Sequence, residues 1–171
     1  MIFRYIILLL LSFSFQQFSI KFTPNQIINF TLLNGNQKYL ILDLGNYLLG
    51  NKNGIMQLNH IYFQANIKTF IYLVSDISSY DSSFLNIVSS SIGTRFDGDS
   101  KANSYIFVIF AIESKRYIYR IGEKVKALIK EQELEQIIKA NSKYLEYSIY
   151  PEFMNLFTSQ LEKKILSKPK N

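Results

Sequence analysis

The spacing of apolar residues changes period several times along the chain, and each change marks an element. Behind a single Arg4, Ile6–Leu11 is unbroken aliphatic and Ser12–Phe15 continues apolar until Gln16 and Gln17. This is the charged-then-apolar layout of a signal peptide. The run is about half the roughly 20 residues that a bilayer-spanning helix needs. Cleavage after Ser14 or Ser19 is expected, with retention as an N-terminal membrane anchor the alternative. No later stretch is apolar over a spanning length, and the end of the chain is polar and basic, so the mature protein is not expected to cross a membrane itself.

Beyond the leader, Ile27–Leu33 and Lys38–Leu42 are apolar, β-branched or aromatic runs on either side of Asn34-Gly35-Asn36, which predicts a hairpin or edge segment. Ile55, Leu58, Tyr62 and Ala65 recur at helical spacing, with Asn51 as the expected cap. Lys68–Ser75 and Tyr105–Ile112 are continuous apolar runs of strand length, the pattern of strands covered on both faces. Between them, Ser82 or Ser83 caps a helix presenting Phe84, Ile87, Val88 and Ile92, which completes a βαβ unit with a right-handed crossover expected. A turn at Lys115 leads to a third, antiparallel strand over Arg116–Ile121. There Arg116, Ile118 and Arg120 share one face and Tyr117, Tyr119 and Ile121 the other. Two helical stripes follow, Leu134 to Leu145 and Phe153 to Ile165, with Pro151 suited to a first turn.

The fold class predicted is therefore α/β: one small three-layer-like domain, a mixed sheet with a βαβ crossover, helices on both faces and two C-terminal helices. The expected division is a signal peptide over 1–19, an N-terminal extension or hairpin over 20–40, the domain over 41–166 and a basic tail over 167–171. A hydrophobic fraction of 48% with 14 Phe and 12 Tyr in 171 residues supplies a core for a domain of this size. With no Cys, disulfides, zinc fingers, thiol nucleophiles and iron–sulfur ligation are excluded. The net charge of +6 is modest and lies mostly in the C-terminal third. It lacks the dense basic stripe of a nucleic-acid binder and argues against such a partner. Asn29-Phe30-Thr31 fits the N-glycosylation sequon, whose acceptor must face solvent.

Three stretches resemble the TPM domain, the family of thylakoid luminal and bacterial exported proteins that includes the nematode levamisole-receptor modulators. They are Ile41–Leu48, with Asp43 matching the family's acidic residue; Tyr105–Gly122, containing Lys115-Arg116-Tyr117-Ile118-Tyr119-Arg120-Ile121-Gly122; and Leu128–Leu145 followed by Tyr150–Leu156. The modulator branch is the most similar, on the order of Gly122-Glu123-Lys124-Val125-Lys126 and Lys143-Tyr144-Leu145. Lys130 stands where the family has a capping Thr, Lys115 where it has an acidic residue, and Ser104 where it has Gly. The resemblance implies a secreted or luminal binding module whose partner is a protein, in that branch a membrane protein whose assembly or activity it modulates.

It also implies an alternative, a metal-dependent acid phosphatase acting on phosphomonoesters. With no Cys and His60 the single His, thiol and paired-histidine phosphoenzymes are closed, and no Asp-x-Asp-x-Thr string occurs. What remains is a Ca2+ or Mg2+ ion held by Asp43, Asp76, Asp97 and Asp99, with Arg116 or Arg120 clamping the anion. Asp76 follows a central strand, where open α/β sheets place ligands. Asp97-Gly98-Asp99 fails the EF-hand pattern, because Lys101 and Val108 occupy ligand positions, but with Asn103 it offers oxygens for a looser site joining Asp43 or Asp76. His60 is expected on a helix surface.

Overall fold

A computed structural model describes residues 24–34, 37–44, 47–48, 54–76, 82–97 and 103–168. The expected leader, the Asn34-Gly35-Asn36 turn beyond Asn34, the Asn51 cap, Asp99 and the last three residues of the basic tail lie outside them. In chain order the elements are α1 (Pro24–Asn34), β1 (Tyr39–Asp43), α2 (Ile55–Ala65), β2 (Lys68–Val74), α3 (Ser82–Ile92) with a π-helical extension over Gly93–Asp97, β3 (Tyr105–Ala111), β4 (Arg116–Ile121), α4 (Glu123–Lys126), α5 (Glu131–Glu146) and α6 (Tyr150–Leu166).

The four strands lie in sequence order, β1 to β3 parallel and β4 antiparallel to β3. β2 and β3 are almost wholly buried, as continuous apolar runs require when helices cover both faces. One face carries Ile71, Leu73, Ile106, Val108 and Phe110 against α2, α5 and α6. Phe110 meets Phe153 and Phe157 edge-on at 4.8 and 5.4 Å between ring centres, the arrangement that aromatic quadrupoles favour. The other face carries Phe70, Tyr72, Phe107 and Ile109 against α1 and α3. The α/β architecture with two C-terminal helices is thus observed.

The crossovers β1–α2–β2 and β2–α3–β3 step across the sheet in one direction but pass over opposite faces. They are therefore of opposite hand, and one belongs to the rare left-handed class.

The N-terminal hairpin is overturned. Ile27–Leu33 lies within helix α1, and β1 pairs parallel with β2, as an edge strand, rather than antiparallel with the preceding segment. Ile27, Ile28, Thr31 and Leu32 fall on one helical stripe and face the sheet, while Leu33 points away and is 78% exposed. Pro24 suits the first helical residue, where a missing N–H costs nothing. The apolar run satisfies both periods, and burial against β2 selects the helical one.

At α5, the Lys130 ammonium cannot accept a hydrogen bond from the helix N-terminus. Capping falls instead to the Glu133 carboxylate, which accepts the Lys130 backbone N–H at 2.8 Å. Among the described residues no helix is long and apolar enough to cross a membrane.

Candidate functional site

The C-terminal ends of β1, β2 and β3 converge on one edge of the sheet. Asp43 closes β1 opposite Leu73, and Asp76 follows the end of β2, half-buried. Hydrogen bonds from the N–H groups of Ile112 and Glu113 to the carbonyls of Val74 and Ser75, 2.8 and 2.9 Å, bring Glu113 to the same edge. Arg116, opposite Ala111 at the start of β4, is exposed there as well.

Asp43 is spoken for. Its Oδ1 accepts the N–H of Tyr47 and its Oδ2 that of Leu48, both at 2.8 Å, so the carboxylate organises the turn that leaves β1. Leu48, delivered by that turn, is buried in the core. Tyr47 packs edge-on against Tyr150 at 5.5 Å. Burial, then the charge of Glu113, Tyr150 and that of Asp43, raises the Tyr47 phenol to about 12.

Lys115, in the left-handed region at φ 54°, turns β3 into β4. Its ammonium donates to the Leu145 carbonyl at 2.7 Å and lies 5.6 Å from the Tyr150 ring centre. A cation here ties the β3–β4 turn to the end of α5, where several carbonyls lack helical partners. This accounts for a lysine at this turn.

The predicted constellation is only partly assembled. Asp43, Asp76 and Arg116 share the edge, but Arg120 does not. Four residues further along β4, at about 3.3 Å per residue, it sits opposite Phe107 and donates to Asn86 Oδ1 of α3. One anion cannot be clamped by both arginines. Asn103, before the start of β3, lies at the opposite end of the sheet from Asp43, so the looser oxygen site does not form around it. The backbone at Asp97 ends the π-helical extension, and Asp99 lies outside the described residues. Among the described residues no group of three or more His, Asp or Glu is placed to hold a metal ion. His60 is an exposed residue of α2 that pairs with Glu162 of α6. Asn29 is exposed on α1. Thr31 of the same triplet is fully buried, its hydroxyl sharing a 2.8 Å hydrogen bond with the Tyr72 phenol.

Sequence reasoning passed over Glu113 and Tyr47. Glu113 follows β3 much as Asp76 follows β2, and that parallel was the signal available.

A second feature lies on the far half of β4. A pocket of about 190 Å³ opens between Leu85 and Asn86 of α3, Tyr119 to Ile121 of β4, and Glu123, Lys126 and Glu131. Lys126 is held by Glu123 at 3.0 Å and Glu131 at 3.4 Å, and these contacts raise its pKa, the Glu123 hydrogen bond most. Arg120 makes no ion pair among the described residues, and its Nε is buried without an acceptor.

No family model matches the chain, and no curated protein matches it. Among solved structures, the chain is similar to the N-terminal domain of a protein from P. gingivalis determined by solution NMR, at 12% identity with a TM-score of 0.66, covering 86% of this chain and 93% of that one. That likeness is one of fold alone.

Proposed function

We propose that this protein is a secreted or luminal module of the TPM type that works by contact, modulating a membrane protein or assisting its assembly. The observation that carries the reading is at Asp43. Each oxygen of Asp43, one of the four candidate metal ligands, accepts one of the chain's own amides, so the motif is explained by the turn it builds. Exposed apolar side chains support a surface that meets other proteins. Met56 and Phe63 are 81% and 65% exposed two turns apart on α2, and Lys38 stands 4.0 Å from the Phe63 ring centre.

The phosphatase reading is favoured by one observation, the shared edge of Asp43, Asp76, Glu113 and Arg116. Offering a general phosphomonoester to the purified mature protein with Ca2+, Mg2+ or Mn2+ separates the two. The contact reading expects no turnover with any metal. Turnover that an Asp76→Asn variant loses would replace it with the enzyme.

A further inference from the structure

Among the described residues, the outer edge of β4 pairs with no other strand. In the β3–β4 ladder the Gly122 N–H bonds the Tyr105 carbonyl at 2.9 Å. By the alternation of antiparallel pairs, the backbone groups of Arg116, Ile118 and Arg120 then point to β3 and those of Tyr117, Tyr119 and Ile121 point outward. No backbone hydrogen bond to those outward groups occurs among the described residues beyond the strand pairing itself. An open edge is a template for another strand.

Its side chains carry a definite charge pattern. Arg116, Ile118 and Arg120 alternate on the α3 face of β4, and neither arginine has a carboxylate partner among the described residues. Asn86 takes Nη1 of Arg120. The arginine Nε is buried without an acceptor, so an incoming carboxylate meets the Arg120 charge from the side of Nη2. The adjoining pocket, about 190 Å³, is smaller than the roughly 300 Å³ at which drug-sized sites begin. It suits the end of a side chain. Glu123 and Glu131 in its wall both pair with Lys126, so a doubly charged phosphate would meet two carboxylates, whereas a single carboxylate meets less repulsion.

We propose that β4 is a docking edge for an extended acidic segment of a partner protein, which adds as a fifth strand and sets a carboxylate side chain on Arg120. Because neighbours on one face of a strand are two residues apart, the matching segment reads Asp/Glu-x-apolar-x-Asp/Glu, its acids facing Arg120 and Arg116 and its apolar residue facing Ile118. Backbone hydrogen bonds supply affinity in such additions, and the alternating side chains supply specificity. A second copy of this chain fits poorly. Two β4 strands paired antiparallel about Ile118 would set Arg116 of each against Arg120 of the other, and directly opposed like charges are destabilising. The inference rests on the contact reading above and gives it a partner chemistry.

The test uses the mature protein and a blocked synthetic peptide of sequence type Glu-x-Val-x-Glu, with a Lys-x-Val-x-Lys counterpart. Binding is followed by fluorescence anisotropy, and amide exchange is followed residue by residue. The acidic peptide should bind saturably, slow exchange at Tyr117, Tyr119 and Ile121, and lose at least about tenfold in affinity with Arg120→Glu, the scale of one charge-assisted hydrogen bond. The lysine peptide should then bind the variant better than the wild type. Arg120→Gln, which keeps a donor to Asn86 without the charge, should fall between them. Absent binding, binding that leaves those amides unprotected, or self-association that protects them would each overturn the docking edge. None of these bears on the phosphomonoester assay, by which the contact reading stands or falls separately.

Discussion

The Thr31 hydroxyl and the Tyr72 phenol meet at 2.8 Å with both residues fully buried, joining α1 to the middle of the sheet. Burial pushes the Tyr72 phenol well above its ordinary range, and the bond to Thr31 partly offsets this. Thr31→Val leaves the phenol without its partner and should cost about 1–3 kcal/mol in urea denaturation. Tyr72→Phe should cost a similar amount or less, since the threonine hydroxyl can turn to a backbone carbonyl. The double variant should lose less than the two single losses together, a coupling of about 1 kcal/mol. Strict additivity would show that the two groups act independently.

Gly54 has φ 88°, and a Cβ placed on it would lie 2.7 Å from Oγ1 and 2.9 Å from Cγ2 of the buried Thr158. The left-handed conformation costs an L-residue about 1–2 kcal/mol, and the contact with α6 adds to it. Gly54→Ala should therefore destabilise the protein by more than about 2 kcal/mol. Combining it with Thr158→Ala relieves the contact and leaves the backbone cost, so the further loss on adding Gly54→Ala should be smaller in that background. An equal loss in both backgrounds would place the whole effect in the backbone.

Asp43 should behave as a structural residue. Removing its two bonds to the Tyr47 and Leu48 amides by Asp43→Ala should cost about 2 kcal/mol, and Asp43→Asn, which retains one acceptor oxygen, should cost less. Neither variant should change the response of the melting temperature to added Ca2+ or Mg2+. A metal-dependent rise in the wild type that both variants lose would make Asp43 a ligand.

β2, β3 and β4 could be read from the chain within a residue of their ends, because long apolar runs such as Thr-Phe-Ile-Tyr-Leu-Val have only one good home, a strand covered on both sides. The helices α5 and α6 were equally legible from their stripes. Ile27–Leu33 was not, since its pattern fits both periods and the deciding contact, Thr31 to Tyr72, spans 41 residues of chain. The site was half legible for a similar reason. Alternation put Arg116 and Arg120 on one face correctly, but a face is long, and only the register of β4 against β3 shows that they stand at its opposite ends. Asp43 was found by motif, whereas its role is set by amides four and five residues ahead, whose turn no local pattern announces.

Glu133 links α5 to the acid stability of the fold. The Lys130 backbone N–H and then the Lys164 ammonium, 2.8 Å away, lower its pKa from 4.5 to about 2. A carboxyl whose folded pKa lies below its unfolded value contributes stability that is fully present above the unfolded pKa and is lost as the pH falls through the folded one. The window thus runs from about pH 4.5 down to about pH 2. The side chain is at the surface, so salt should weaken the Lys164 part more than the cap. Glu133→Gln removes the titration while keeping an oxygen for the Lys130 amide. Wild type should be the more stable of the two near neutrality, and the difference should shrink as the pH is lowered across that window. Denaturant midpoints of both proteins through the acid range measure this directly. A gap that stays constant would mean that the Glu133 carboxyl is not held in its charged form by the cap.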